Sequence, residues 1–259
     1  MLIHTQDNIG FVKLVDKTKE DFALKIVNTA RISYGNTKQE FDDKDKKLVS
    51  YLWEHKHTSP FRHSFYTFHI KATMSVFRQW LKHQVGTTWR TYEINGETVN
   101  LDIIDLFFDI DKGCSWNELS RRYAQPKHEY YVPDKLRSNP PHGNKQASRE
   151  YVNPLSSHDI LYLEDPLEDM REHTERSLGL YRKLVANGVA KEIARDVLPG
   201  NLYTEAYWTV SLQAVMLFLD LRDSPTAQFE IREYAKIIRQ LIAEDVQKAG
   251  LDIDEQLKD

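Results

Sequence analysis

A nine-residue segment near the middle of the chain carries several kinds of polar group close together. It reads Ser115-Trp116-Asn117-Glu118-Leu119-Ser120-Arg121-Arg122-Tyr123, and a second polar segment upstream reads Arg78-Gln79-Trp80-Leu81-Lys82-His83-Gln84. Guanidinium groups pair well with phosphate oxygens, while carboxylates and amides form hydrogen bonds with a base or a ribose. Together these groups indicate a nucleotide-binding site.

Each of these residues also has an ordinary structural interpretation. Ser115 and Glu118 have the spacing of a capping box at the start of a helix. Arg195 and Arg222, further along the chain, could be cations at the C-terminal ends of helices, where the helix dipole favours positive charge. A capping box does not explain Ser120, Arg121 or Arg122. We therefore favour the nucleotide-binding interpretation for the group as a whole.

Other kinds of site find less support in the sequence. No Gly-x-Gly-x-x-Gly or phosphate-loop pattern is present, and no two of the ten glycines are two residues apart. His55 and His57 flank Lys56, and His158-Asp159 resembles part of a metal-dependent phosphohydrolase motif. Further ligands at matching positions are missing from the sequence, so we predict no metal site.

Cys114 is the only cysteine, and a thiol is a candidate nucleophile toward a pyrimidine. Its neighbours Lys112, Gly113 and Ser115 do not form a recognisable activating environment, so we favour an incidental cysteine. A single cysteine also excludes an internal disulfide, which fits a reducing cytoplasm.

The composition is that of a globular protein with an ordinary core. Of the 259 residues, 41% are hydrophobic and 29% are charged. The net charge of −4 argues against bulk electrostatic binding to nucleic acid or to an anionic membrane. The first 21 residues do not resemble a signal peptide, and no apolar run has the length of a membrane span. We therefore expect a cytoplasmic protein with neither nucleic acid nor membrane as a partner.

The elements that must position the polar groups are predicted from hydrophobic periodicity. Strands are predicted at 11–15 and at 61–70, the second buried on both faces. Helices are predicted over about 20–33, 42–56, 74–81, 166–187, 190–197, 203–221 and 226–248. Residues 124–160 contain five prolines and little periodicity, so they predict a long loop, either functional or disordered. In the absence of a linker or repeat, we predict one α+β domain over residues 1–259.

The order of these segments resembles the flavin-dependent thymidylate synthases, the ThyX family, from about residue 10 to about residue 245. The resemblance rests on Ala30-Arg31-Ile32-Ser33, Thr58-Ser59-Pro60-Phe61-Arg62-His63, Arg78-Gln79-Trp80, Ser115 to Tyr123, Tyr130-Tyr131-Val132-Pro133, Asn144-Lys145-Gln146, Ala194-Arg195-Asp196-Val197-Leu198-Pro199, Asn201-Leu202-Tyr203-Thr204 and Leu221-Arg222. It implies a central, mostly antiparallel sheet flanked by helices. It also implies a homotetramer whose shared active sites bind FAD at subunit interfaces without a Rossmann motif.

The resemblance further implies a reaction and a set of site residues. NADPH reduces FAD, methylenetetrahydrofolate supplies the carbon, and dUMP becomes dTMP. The implied dUMP-binding residues are Gln79, Trp80, Lys82, Glu118, Leu119, Ser120, Arg121, Arg122, Arg195 and Arg222, with Arg195 reaching the site from a neighbouring subunit. The implied cofactor-binding residues are His63, Lys82, His83, Gln84, Glu118, Ser211 and Gln213. Ser120 and Arg222 are implied in catalysis; a guanidinium at 222 would stabilise negative charge on the N3/O4 edge of the pyrimidine, which makes the ring a better carbon nucleophile.

The chain departs from the family pattern in the residues associated with the flavin. The Arg-His-Arg signature is replaced by Lys82-His83-Gln84. This replacement removes one positive charge and should weaken the binding of an anionic ligand by about 1–3 kcal/mol. Ser211 and Leu217 stand where the family usually has asparagines, and Pro225-Thr226 replaces the usual Ser-His. The nucleotide half of the site is thus nearly intact, whereas the flavin half is altered.

An insertion at about 87–114 separates the altered triplet from Ser115. Asn95-Gly96 predicts a hairpin turn, and the apolar residues 101–108 predict a strand or a short helix. We favour a surface hairpin or extra packing between subunits. The alternative is a lid, or a replacement for the missing arginine through Arg90 or Lys112.

The sequence therefore predicts a flavin-dependent thymidylate synthase with an unusual flavin pocket. One alternative is a related enzyme that makes another modified pyrimidine nucleotide, such as a hydroxymethyl derivative. A second alternative, from another class, is a non-catalytic tetramer that binds deoxynucleotides.

Overall fold

Seven strands and seven α-helices make up the described part of the chain. The computed structural model describes residues 1–19, 21–82, 91–94, 97–100, 114–123, 127–137 and 165–253. The strands are β1 (Leu2–His4), β2 (Phe11–Lys17), β3 (Phe65–Thr73), β4 (Thr91–Ile94), β5 (Glu97–Asn100), β6 (Cys114–Glu118) and β7 (Tyr203–Ser211). The α-helices are α1 (Phe22–Arg31), α2 (Asp43–Glu54), α3 (Met74–Trp80), α4 (Pro166–Ala186), α5 (Lys191–Ala194), α6 (Leu212–Arg222) and α7 (Phe229–Lys248).

The main sheet has the strand order β1-β2-β3-β7-β6, and every neighbouring pair is antiparallel. This confirms the mixed α+β class and the antiparallel sheet predicted for the family. Long-range pairing of β3 with β7, from Phe65 opposite Ser211 to Thr73 opposite Tyr203, forms the centre of the sheet. The chain must therefore bring two distant segments together before the sheet exists.

The predicted helix at 203–221 is wrong over its first half, where the chain forms the strand β7. Residues 203–211 alternate between the two faces of the sheet: Ala206, Trp208 and Val210 are buried, while Tyr207 is 47% exposed. Aromatic and β-branched side chains favour such a pleated, half-buried surface. The strand ends at Ser211, whose Oγ accepts a hydrogen bond from the Ala214 N–H at 3.2 Å and caps α6.

The strand predicted at 61–70 begins later than expected. Residues 59–62 form a 3₁₀ helix, and β3 then runs from Phe65 to Thr73 with full burial of Tyr66, Phe68, Ile70 and Ala72. The intervening side chains are only partly buried for the most part, so the prediction of burial on both faces is wrong. The strand predicted at 11–15 lies within β2, and the other predicted helices are confirmed apart from shifts of their ends.

The core lies between one face of the main sheet and α1, α2, α3, α6 and α7. Trp80 on α3 is 1% exposed and stacks on Phe218 of α6, with ring centroids 4.7 Å apart. Trp80 also packs edge-on against Trp208 at 5.4 Å. Such aromatic contacts join α3, α6 and β7 into one rigid platform.

The insertion contains the predicted hairpin. Strands β4 and β5 are antiparallel with Ile94 opposite Glu97, which leaves a two-residue connection at 95–96. The connection itself, residues 101–108, Arg90 and Lys112 lie outside the described residues. So do His83, Gln84, His158-Asp159, residues 144–146 and most of the predicted loop at 124–160. Its described part, 127–137, contains no helix or extended strand.

Within the described residues, no helix has both the length and the apolar character needed to cross a membrane.

Candidate functional site

A cavity of about 450 Å³ joins side chains from four separate segments of the chain. Its lining residues are Met74, Arg78, Glu118, Leu119, Arg121, Arg195, Asp196, Leu198 and Thr204. Three guanidinium groups and two carboxylates therefore meet at one place, within the size range of small-molecule sites. This arrangement can bind a ligand that carries both an anionic group and hydrogen-bond donors.

The strand β6 brings Glu118 to this cavity. Cys114 to Glu118 pair with β7, with Glu118 opposite Ala206, so the alternative interpretation of Ser115 and Glu118 as a capping box does not hold. Trp116 anchors the strand, since its ring packs edge-on against Phe77 with centroids 4.9 Å apart. Desolvation raises the pKa of the Glu118 carboxyl, while its neighbours Thr204 and Trp116 and the nearby Arg121 guanidinium act in the opposite direction.

The turn after β6 separates its two arginines. Arg121 is 6% exposed, and its Nη2 donates to the carbonyl oxygen of Tyr203 at 2.8 Å. Burial lowers the pKa of Arg121, and its Nη1 has no hydrogen-bond partner among the described residues. Arg122 is exposed and lies over the ring of Tyr123, with its guanidinium carbon 5.3 Å from the centroid. The Arg121 side chain thus forms part of the cavity wall, whereas the Arg122 side chain is exposed at the surface.

Ser120 and Leu119 fix the backbone of this turn. The Leu119 N–H donates to the carbonyl oxygen of Glu205 at 2.8 Å, which ties the turn to β7. The Ser120 Oγ accepts from the Arg122 N–H at 3.3 Å, and the Ser120 carbonyl accepts from the Tyr123 N–H at 3.2 Å. These three hydrogen bonds fix the local geometry of the segment.

Arg195 and Arg222 are both helix-end cations in the structure. Arg195 follows α5 directly, is exposed, and donates from Nε to the carbonyl oxygen of Glu192 at 3.3 Å. It lines the same cavity as Glu118 within a single chain, although the family resemblance implies that it comes from a neighbouring subunit. Arg222 is the last residue of α6, and burial lowers its pKa.

Several residues assigned to the site lie outside the lining of this cavity. Arg222, Ser120, Arg122 and Gln79 are not part of the lining. Gln79 is partly buried on α3, and its Nε2 donates to Oε1 of Gln228. Within one chain, the structure gathers only part of the predicted nucleotide site.

Besides Glu118, the described residues implied in cofactor binding fall into an exposed pair and a buried pair. His63 and Lys82 are exposed, at the ends of the 3₁₀ helix 59–62 and of α3. Ser211 is 2% exposed and caps α6. Gln213 is 7% exposed, and its Oε1 accepts from Nε of Arg62 at 2.6 Å. Trp80, implied in dUMP binding, is part of the core platform.

Some lining residues were not predicted from the sequence. Arg78 and Asp196 belong to motifs that were recognised, but only their neighbours were assigned to the site. Thr204 lies in a segment whose apolar residues predict a helix, whereas the segment forms the strand β7 that borders the cavity. Met74 and Leu198 carry no chemical signal in the sequence.

A second cavity of about 320 Å³ adjoins the first and shares Leu119 and Thr204 with it. Its wall includes an ion pair between Nζ of Lys71 and a carboxylate oxygen of Glu129, 2.5 Å apart. No group of three or more His, Cys, Asp or Glu side chains that could hold a metal ion occurs among the residues the structure describes.

The sequence is similar to that of a known enzyme family over most of its length. The model of the Thy1 family, described as thymidylate synthase complementing protein, matches residues 13–246. The flavin-dependent thymidylate synthase of Thermosipho melanesiensis is 37% identical over 235 residues, which cover 91% of this chain and 86% of that protein. The enzyme of the same description from Thermus thermophilus is 38% identical over 248 residues, which cover 96% of this chain and 77% of that protein.

Solved structures give a consistent result. The UMP/dUMP methylase PolB from Streptomyces cacaoi, bound with 5-Br dUMP, superposes with a TM-score of 0.65 at 26% identity, covering 93% of this chain and 92% of that chain. The same protein bound with 5-Br UMP gives a TM-score of 0.64 at 27% identity, covering 93% and 95%.

Proposed function

Because the chain belongs to the Thy1 family of flavin-dependent thymidylate synthases, we propose that it converts dUMP to dTMP with methylenetetrahydrofolate as carbon donor and NADPH as reductant. The observation that carries this proposal is the cavity in which Arg78, Glu118, Arg121 and Arg195 meet. Its charges suit the phosphate and the ribose of a nucleoside monophosphate. PolB, which was solved with pyrimidine nucleotides, supports the same class of ligand.

In this proposal the arginines bind the phosphate, and the other groups orient the base and sugar. Arg195 is exposed at the cavity and is suited to a phosphate oxygen, while the Glu118 carboxylate is suited to a ribose hydroxyl. Arg222 faces the pyrimidine in the family pattern. A cation there stabilises negative charge on the N3/O4 edge and so favours carbon–carbon bond formation at the ring.

The described residues fit only part of a flavin site. His63 and Lys82 are exposed and available to FAD, whose chemistry when bound would be to pass electrons from NADPH to the carbon unit. Ser211 and Gln213 are buried and already engaged with the Ala214 N–H and with Arg62. We therefore assign these two residues a role in holding α6 and the 59–62 turn.

We propose a homotetramer in which Gln79 of one subunit and Glu118 of another complete each site, because one chain alone does not bring them into one cavity. Mixing inactive Gln79→Ala and Glu118→Ala variants under subunit exchange should then restore part of the activity. A mixture that stays inactive, or a monomeric mass by light scattering, would contradict shared sites. The chain forms a single cytoplasmic domain in this proposal.

The decisive experiment is incubation of purified protein with FAD, NADPH, methylenetetrahydrofolate and either dUMP or UMP, followed by mass spectrometry of the nucleotide. We expect dTMP from dUMP. A hydroxymethylated product would indicate the related modifying enzyme instead. Tight dUMP binding by calorimetry without turnover or flavin reduction would indicate a non-catalytic binding protein. The UMP arm tests the similarity to PolB, which is described as acting on both nucleotides.

A further inference from the structure

The Gln79 amide is the first member of a hydrogen-bonded chain that ends at an ion pair. Nε2 of Gln79 donates to Oε1 of Gln228, and Nε2 of Gln228 donates to Oε2 of Glu230 at 2.8 Å. The other oxygen of Glu230 pairs with the Arg137 guanidinium and accepts from the Tyr131 hydroxyl at 3.3 Å. Three segments of the chain contribute to this network: α3, residues 127–137 and the start of α7.

The chemistry of the network determines which way each amide faces. An ionised carboxylate only accepts hydrogen bonds, so Gln228 must turn its NH₂ group toward Glu230. Its carbonyl then faces Gln79, and Gln79 must turn its own NH₂ group toward Gln228. The Gln79 carbonyl oxygen is consequently directed away from Gln228. The negative charge of Glu230 thus fixes the orientation of the Gln79 amide, although Gln228 lies between the two side chains.

The far end of the network is held firmly. The side chains of Arg137 and Glu230 are 15% and 16% exposed, and the guanidinium carbon of Arg137 lies 4.5 Å from the ring centroid of Phe229. Burial and the Glu230 charge raise the pKa of Tyr131 to about 12, so its hydroxyl stays a donor at neutral pH. The Tyr131 N–H donates to the carbonyl oxygen of Asn201 at 2.9 Å, and the Tyr131 carbonyl oxygen accepts from Nδ2 of Asn201 at 3.0 Å.

The near end is equally constrained, because Gln79 precedes the buried Trp80. The Trp80 ring packs against Phe218 and against Tyr234 of α7, with centroids 4.7 and 5.8 Å apart. Gln228 lies directly before α7. The two amides are therefore carried by backbones that the core holds in fixed relation, and only their amide orientation remains to be determined.

We propose that Gln228 is a positioning residue for the nucleotide: with Glu230 it holds the Gln79 carbonyl oxygen ready to accept a hydrogen bond from a donor on dUMP. This inference rests on the proposed function, in which Gln79 contacts dUMP. Uracil offers N3–H as the only donor on its base edge, and the deoxyribose offers the 3′-hydroxyl. A fixed acceptor at Gln79 favours ligands with a donor at that place and disfavours those without one.

The first test measures dUMP binding by calorimetry for the full-length protein and its variants. Gln228→Leu removes both functions of the amide and should raise Kd roughly 3- to 10-fold, the range expected for one neutral hydrogen bond. Gln228→Glu combined with Glu230→Gln exchanges carboxylate and amide at unchanged net charge. In that variant Gln79 still faces an acceptor, so the Kd should return to within about twofold of wild type, well inside the effect of one hydrogen bond.

A Kd for Gln228→Leu equal to that of wild type, alongside weakened binding by Gln79→Leu, would overturn the inference and leave the proposed function intact. An exchange variant that binds no better than Gln228→Leu would refute the polarity argument. If Gln79→Leu itself binds dUMP normally, both the assignment of Gln79 and this inference fail. Gln240→Leu, at an exposed position of α7, is the matched control and should not change the Kd or the melting temperature.

The donor on the nucleotide is identified with two analogues. 3-Methyl-dUMP lacks N3–H, and 2′,3′-dideoxyuridine monophosphate lacks the 3′-hydroxyl. The analogue that lacks the true donor should bind wild type more weakly than dUMP does but should lose little further affinity in Gln228→Leu. Equal additional losses for both analogues in that variant would show that Gln228 acts only on the fold.

Discussion

Around Glu118 the polar side chains face a cavity, whereas around Ser211 they are engaged in holding the backbone. Arg78, Glu118 and Arg195 present charged groups to the cavity space. Ser211 instead uses its hydroxyl to cap the first turn of α6. Similar polar residue types thus serve different ends in the two regions: around Glu118 they line a cavity, whereas at Ser211 the hydroxyl is engaged by the backbone of α6.

The largest effect is expected for the residue that the family pattern places over the pyrimidine. Arg222→Ala should lower kcat roughly 100- to 1000-fold, the usual result of removing one group that stabilises developing charge. The melting temperature, measured on the same samples, separates this loss of kcat from any loss of stability at the half-buried end of α6. Single-turnover kinetics with Arg176→Ala, an exposed position on α4, as control measures the effect. A kcat within tenfold of wild type would show that Arg222 is not catalytic.

The two neighbouring arginines of the turn after β6 should differ in what their removal costs. Arg121→Ala should lower the free energy of unfolding by about 1–3 kcal/mol, because it leaves the Tyr203 carbonyl without its buried donor. Arg122→Ala should leave stability within about 0.5 kcal/mol of wild type, as for most exposed positions, and should weaken dUMP binding. Urea unfolding and calorimetry on the same samples separate the two effects. Equal losses of stability in both variants would contradict the inward and outward placement.

A smaller effect is expected at Ser211. Ser211→Ala should cost about 0.5–2 kcal/mol of stability through loss of the helix cap. Ser211→Asn should keep the cap, because asparagine is an equally good capping residue, and it restores the residue that the family usually has. Flavin affinity measured by fluorescence quenching then decides the role: a tighter FAD complex in Ser211→Asn alone would return this position to the flavin site.

The smallest effect concerns pH. The folded state raises the pKa of Glu118 by desolvation, so the folded protein binds that proton more tightly than the unfolded chain does. Its contribution to stability is therefore fully present below the unfolded pKa and is lost as pH rises through the folded pKa. Glu118→Gln should remove this slope and make the protein slightly more stable at pH 7 while weakening dUMP binding. If the free energy of unfolding changes between pH 4 and pH 7 by the same amount in Glu118→Gln as in wild type, the desolvation of Glu118 is contradicted.

The sequence predicted the helices better than the strands, for a physical reason. Long amphipathic helices such as α4 and α7 repeat their pattern over many turns, so the period is unmistakable. Because the strand β7 runs directly into the buried helix α6, the joined apolar segment predicts a single helix. The error mattered, because β7 carries Thr204 to the cavity and pairs with β6.

The chemistry of the site was easier to predict than its geometry. Glu118, Arg121 and Arg195 were recognised from their motifs, and the structure gathers them in one cavity. That Arg121 turns inward while Arg122 turns outward depends on a hydrogen bond to Tyr203, which is distant in the sequence. The Gln79–Gln228–Glu230 network is likewise formed by segments that only the folded chain brings together, so no local pattern indicates it.

The pairing of β3 with β7 has a consequence for how the protein is made. Residue 65 pairs with residue 211 and residue 73 with residue 203, so the centre of the sheet cannot form on the ribosome until most of the polypeptide has been synthesised. High contact order of this kind slows folding, because the entropy of closing a long loop is lost before the pairing stabilises it. Until then Trp80, Tyr66 and Phe68 lack their partner strand. We expect nascent chains that stop short of residue 211 to expose this aromatic surface and to depend on chaperones for their solubility.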